Sequence, residues 1–243
     1  MEHELHMFMV RVFAWIMGAL LISAFFASYS DLWDESAVPI LIGKTLLALT
    51  GGMFVLAFVI SRKVAKMLPS VAMATLVAYA SFQGILFGLT YRAAYHASLA
   101  PVYTCMAVLF GILAVFGLRS GYDLSSTPSL LIGVALAPVL AAGLKRGFDV
   151  SITASCAACV CSWLMLALVG YHRQFLRDLP SSFDDDVHWN KAAAVGALQI
   201  YLDVVSIVLI VIQLRWLSEL LQKDEVSSER SRTYMTMYVR RKN

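Results

Sequence analysis

AAAVGALQIYLDVVSIVLIVIQL, residues 192–214, holds a single charged side chain, Asp203, near its middle. A helix of that length rises about 34 Å, enough to cross the hydrocarbon core of a bilayer. An ionised carboxylate near the bilayer midplane costs at least ~2.5 kcal/mol even on the mildest insertion scale, so an acid kept there is expected to have a task. The whole chain has the same character. Of its 243 residues 60% are hydrophobic and 14% charged, and the mean hydropathy is +0.74. An ordinary soluble domain has a much larger charged share.

The charges collect in short clusters, and the gaps between them define seven spans: 8–28, 38–60, 67–90, 98–118, 124–144, 148–171 and 192–214. Arg11 lies near the start of the first span and can snorkel. Asp31, Asp34 and Glu35 separate the first span from the second, which holds Lys44 about a turn inside. Arg62, Lys63 and Lys66 form a basic turn. Gly84 and Gly88 in the third span have the spacing that lets helices approach closely, which is read as tight packing. Pro128 and Pro138 mark the fifth, and Lys145 and Arg146 precede the sixth. The reading is an all-α integral membrane protein, a seven-helix bundle in one domain over 1–217, with a polar basic tail over 218–243.

Composition excludes several classes. The net charge is only +3 and the basic residues sit at span ends and in the tail, so there is no electrostatic footprint for nucleic acid. Cys105, Cys156, Cys159 and Cys161 all fall inside spans and form no secreted disulfide framework. Cys156-Ala-Ala-Cys159 is read as small-residue packing rather than redox or metal chemistry, because no further ligand stands at a suitable spacing. His3 and His6 would need unseen partners to hold a metal. The first apolar stretch lacks the flank and cleavage site of a removable signal peptide and is expected to stay as a helix. Lys and Arg divide equally between the two sides, so orientation stays open.

Gln199, Asp203, Ser206, Ile210 and Gln213 recur at steps of four and three, which places them on one helical face. That polar stripe is expected to face the bundle interior, leaving Val, Leu and Ile for lipid or packing. Asp203 is then either a protonated, hydrogen-bonded pin or a group that titrates, binds a cation or lines a pathway. Asp184, Asp185 and Asp186 are read as a solvated loop rather than a pore mouth.

Ala197-Leu-Gln-Ile-Tyr-Leu-Asp203 resembles the last-helix signature of the Bax inhibitor-1, or transmembrane Bax inhibitor motif, superfamily. Phe82-Gln-Gly84 with Gly88, the turn Leu118-Arg-Ser-Gly-Tyr-Asp-Leu-Ser125 and Tyr171-His-Arg-Gln174 resemble further family elements in the same order. The resemblance implies seven helices with the last one central, and a pH-sensitive calcium leak that in eukaryotic members suppresses cell death from the endoplasmic reticulum or Golgi. It also implies two aspartates, one from each of the last two helices, that share a proton. Asp203 matches one; His172 stands where the other is expected. Two close carboxylates resist joint ionisation, whereas an imidazole beside a carboxylate favours an ion pair. Acidification is therefore expected to strengthen a contact between His172 and Asp203. His172 can equally be an interfacial residue wetted by headgroups.

Losing one acid weakens any calcium site, so Asp203 is at most part of a weak one. Asp178 is a possible substitute acid, Arg62 the nearest match to a family basic residue, and Gln199, Ser206 and Gln213 supporting neighbours. No resident cofactor is expected, with calcium as transported or bound ion. The partners are the lipid bilayer, calcium and membrane or apoptosis-regulating proteins. No Asn-Pro-x-x-Tyr or Asp-Arg-Tyr element of a G-protein-coupled receptor is found. The last span has no Lys for a retinal Schiff base, and no catalytic pair of an intramembrane protease stands out, so no enzyme activity is expected. The main alternative is a non-conducting interaction protein of the same fold, acting on cell death or trafficking. Seven-span relatives carried by cytomegaloviruses make the resemblance compatible with a viral origin (a viroporin); the expected location is the endoplasmic reticulum or another intracellular membrane of a eukaryotic host cell, with a bacterial inner membrane as the alternative.

Overall fold

A computed structural model describes residues 2–30, 44–63, 67–95, 98–120, 127–148, 152–172, 176 and 192–207. Every element among them is helical: α1 Glu2–Ser30, α2 Lys44–Lys63, α3 Pro69–Tyr95, α4 Ala100–Ser120, α5 Thr127–Phe148, α6 Ile152–Tyr171 and α7 Ala192–Ile207. The acidic turn at Asp31, Asp34 and Glu35, the acidic run at Asp184 to Asp186, Asp178, Gln213 and the tail over 218–243 lie outside the described residues.

Among the described residues, four helices carry apolar runs long enough to cross a membrane, His6–Tyr29, Ser70–Arg92, Ala100–Arg119 and Ala154–Tyr171, while the described parts of α5 and α7 carry shorter ones. Boundaries differ from the expected spans where charge is tolerated inside a helix. Lys145 and Arg146 belong to the last turn of α5, which runs on to Phe148, because cations there complement the unpaired carbonyls of a helix C-terminus.

Helix α1 packs along α3 and α4, and α5 and α6 pair with each other against α4. Phe13 of α1 meets Phe110 of α4 with ring centroids 5.3 Å apart. His6 Nε2 donates to the carbonyl of Gly117 at 2.8 Å. That carbonyl is one of the last four of α4, which lack helical donors. Gly84 sits at a close approach of α1 and α3: a Cβ there would lie 2.5 Å from the carbonyl oxygen of Ser23. The sequence spacing that suggests close packing thus corresponds to a backbone-on-backbone approach.

Pro138 lies inside α5. Having no N–H, it leaves the carbonyl four residues earlier, that of Val134, without its helical donor. Trp163 Nε1 of α6 donates to that carbonyl at 2.9 Å. A neighbouring helix thereby satisfies what the proline removed, as a backbone group in an apolar environment requires.

Helix α7 is buried on nearly every face from Ala192 to Val205, which makes it the central helix. Gln199 and Asp203 face the ends of α2 and α6, as an inward stripe would, and the apolar faces of α7 serve packing rather than lipid. Leu198, Ile200, Leu202, Val204 and Val205 are the buried residues, while Gln199, Asp203 and Ser206 occupy the less buried face. Outward-facing apolar side chains come instead from other helices, including Phe25, Phe58, Leu131 and Val139. With lipid taken up by those helices, the apolar faces of α7 are free to fill the core, and the polar stripe meets helix ends.

Candidate functional site

Asp203 lies 11 residues into α7, about 16 Å along its axis, and it meets the last turn of α2 and the end of α6. His172 follows α6 directly; its N–H donates to Leu168 O at 2.9 Å, and its own carbonyl accepts from Leu176 N at 2.9 Å. The first bond continues the pattern of α6 by one residue, and Leu176 packs beside Gly196 on α7. The imidazole is thereby brought back to Asp203.

His172 Nε2 and Asp203 Oδ2 are 2.6 Å apart, with His172 16% and Asp203 24% exposed. Gln199, one turn before Asp203, places Nε2 3.1 Å from each carboxylate oxygen and donates to Ser61 Oγ at 2.8 Å. Ser61 Oγ in turn donates to Asp203 Oδ1 at 3.4 Å. The carboxylate thus faces three donor groups from three helical segments.

Several expected neighbours stand elsewhere. Ser206 Oγ donates to Leu202 O of its own helix at 2.7 Å. The Arg62 guanidinium lies 4.4 Å from the centre of the Phe58 ring, one turn back along α2. Its neighbour Ser61 reaches the acid instead, since successive helical residues point about 100° apart. No pattern in the sequence singles out Ser61; its only signal is its place beside Arg62. The basic last turn of α2, Arg62 and Lys63, also sets the acid at the level of a charged helix end rather than among wholly apolar neighbours. The four cysteines are free thiols, Cys105 buried and Cys156 exposed.

Calcium takes six to eight oxygen ligands. The groups around Asp203 are mostly donors, and no cluster of three His, Cys, Asp or Glu occurs among the described residues. The arrangement holds a proton better than a dehydrated divalent ion. A single proton on Nε2 satisfies the short contact. With the imidazole otherwise neutral the pair carries one negative charge, and with imidazolium it carries none.

On the opposite side of α7, Tyr201 is buried and belongs to a second polar group. Its hydroxyl lies 2.6 Å from Ser23 Oγ and donates to Gln83 Oε1, while Gln83 Nε2 donates to Tyr103 OH at 2.8 Å. Ser23 Oγ also stands 3.0 Å from the carbonyls of Ala19 and Ala80. This group ties α7 to α1, α3 and α4. Sequence inspection does not find it, because a Tyr or Gln inside an apolar helix is unremarkable until its partners are known.

Residues 5–222 match the protein family described as inhibitor of apoptosis-promoting Bax1. An inner membrane protein of Escherichia coli K12, YbhL, is 23% identical over 215 residues, covering 86% of this chain and 91% of the relative. An uncharacterised protein of Deinococcus radiodurans is 26% identical over 211 residues, covering 87% and 90%. No solved structure matches the chain significantly.

Proposed function

The chain belongs to the Bax inhibitor-1 family of multi-pass membrane proteins, and on that premise we propose that it is a pH-sensitive, calcium-permeable leak gated at Asp203 and His172. The observation that carries this reading is the 2.6 Å contact between the two side chains. A contact between a carboxylate and the one side chain that ordinarily changes charge near neutral pH responds to acid. Protonation converts a charge–dipole contact into an ion pair, drawing the end of α6 onto α7 and removing the net negative charge that favours a cation. In a pair of aspartates the added proton neutralises both acids and loosens their contact; here it tightens it. Acid is therefore expected to close this protein.

In this reading calcium is cargo rather than a resident cofactor, and the protein is not an enzyme. The printed name of the Escherichia coli relative supports a bacterial inner membrane. A role in cell death rests on the family's description, and location in the endoplasmic reticulum on the resemblance alone. The test is calcium flux into liposomes holding the purified protein. Flux lost in Asp203→Asn supports the proposal; equal flux in that variant removes it.

A second reading is favoured by the donors that surround Asp203: a non-conducting membrane protein that acts by binding partners, with the acid as a pin. Absence of flux at every pH from folded protein would select it.

A further inference from the structure

Tyr201 and Asp203 are two residues apart on α7, so their side chains leave the helix about 200° apart and about 3 Å apart in height. One side is held by Ser23 and Gln83, the other by His172 and Ser61. The first turns of α7 carry small side chains, Ala192, Ala193, Ala194, Gly196 and Ala197, its larger buried ones near Tyr201 are apolar, Leu198, Ile200 and Leu202 among them, and apolar contact is non-directional. Within a bilayer, lipid is as apolar as a leucine side chain, so polar contacts and close packing set how one helix faces another.

We propose that Tyr201 is a positioning residue for Asp203: its hydroxyl, fixed between Ser23 and Gln83, sets the rotation of α7 at which Asp203 meets His172. The lever is short and effective. At a side-chain radius of about 5.5 Å, a 20° turn moves a group by about 2 Å, enough to break a 2.6 Å contact. The anchor is itself rigid. Ser23 is bound to carbonyls of α1 and α3 at the point where Gly84 lets the two backbones touch, and Gln83 is held from behind by Tyr103. Tyr79 meets the Tyr201 ring edge-on with centroids 6.3 Å apart, so removing the hydroxyl leaves the ring packed. The proposal builds on the reading of Asp203 and His172 as the working pair, yet its test does not depend on conduction.

The test uses the full chain in lipid nanodiscs with nitrogen-15 histidine, reading the His172 ring signals at one fixed neutral pH. The signal is assigned by its loss in His172→Ala, and Asp203→Ala marks the position of a ring that has lost its contact with residue 203. Tyr201→Phe is expected to move the signals at least about half of the way toward that position, and Ser23→Ala in the same direction by less. Signals in both variants that coincide with those of the unmodified protein would overturn the proposal. Ser23→Ala, which deletes one oxygen, decides alone if Tyr201→Phe is not recovered folded. Flux that is absent while the signals move would count against the leak and leave the positioning role standing.

Discussion

Trp163 Nε1 donates at 2.9 Å to the carbonyl of Val134, the acceptor that Pro138 leaves without its helical donor. Trp163→Phe is expected to lower stability by roughly 1 kcal/mol, the ordinary net worth of such a bond. In a Pro138→Ala background the restored N–H takes over the carbonyl, so the same change should cost about half as much or less. Thermal unfolding of the four proteins in one detergent gives the coupling. Equal costs in both backgrounds would show that the indole is not compensating for the proline.

Gly84 and Gly52 make a matched pair. A Cβ at Gly84 would meet the Ser23 carbonyl at 2.5 Å, whereas one at Gly52 would meet nothing within 4 Å. Gly84→Ala must push two backbones apart and is expected to cost about 2 kcal/mol or more. Gly52→Ala is expected to be neutral or stabilising by up to about 1 kcal/mol, since glycine is a poor helix former. The same unfolding measurement checks both.

Around the acid, Gln199 touches both carboxylate oxygens and Ser61, while Ser61 makes one long contact with Asp203 and accepts one from Gln199. Gln199→Leu is therefore expected to change the pH dependence of calcium flux more than Ser61→Ala does. The reverse order would mean that the end of α2, not the α7 neighbour, holds the carboxylate.

How much of this the sequence discloses follows from the range of each interaction. The seven spans are legible because charge must leave the hydrocarbon, a rule that acts residue by residue. Asp203 stands out for the same reason, and His172 through the resemblance of Tyr171-His-Arg-Gln174 to a family element. Ser61 and the Tyr201–Gln83–Ser23 group do not stand out, because small or uncharged polar residues carry little cost in an apolar helix once bonded, and their bonds join residues up to 178 positions apart. The pattern of α7 leaves its apolar faces open between lipid and packing. Periodicity locates the polar face, but what that face meets depends on where α2 and α6 end.

Replacing His172 by Asp would install two facing carboxylates, which share one proton and separate on taking a second. His172→Asp is expected to reverse the direction of the pH dependence, giving more flux in acid where the unmodified protein gives less. An unchanged direction would mean that the pH response arises at another group.

The most direct measurement is calcium flux into liposomes across roughly pH 5 to 8, the range in which an imidazole ordinarily changes charge, for the unmodified protein and His172→Ala side by side. The account predicts that flux falls on acidification and that the fall disappears in His172→Ala. Flux that rises with acid in the unmodified protein, or falls equally in both, would contradict it.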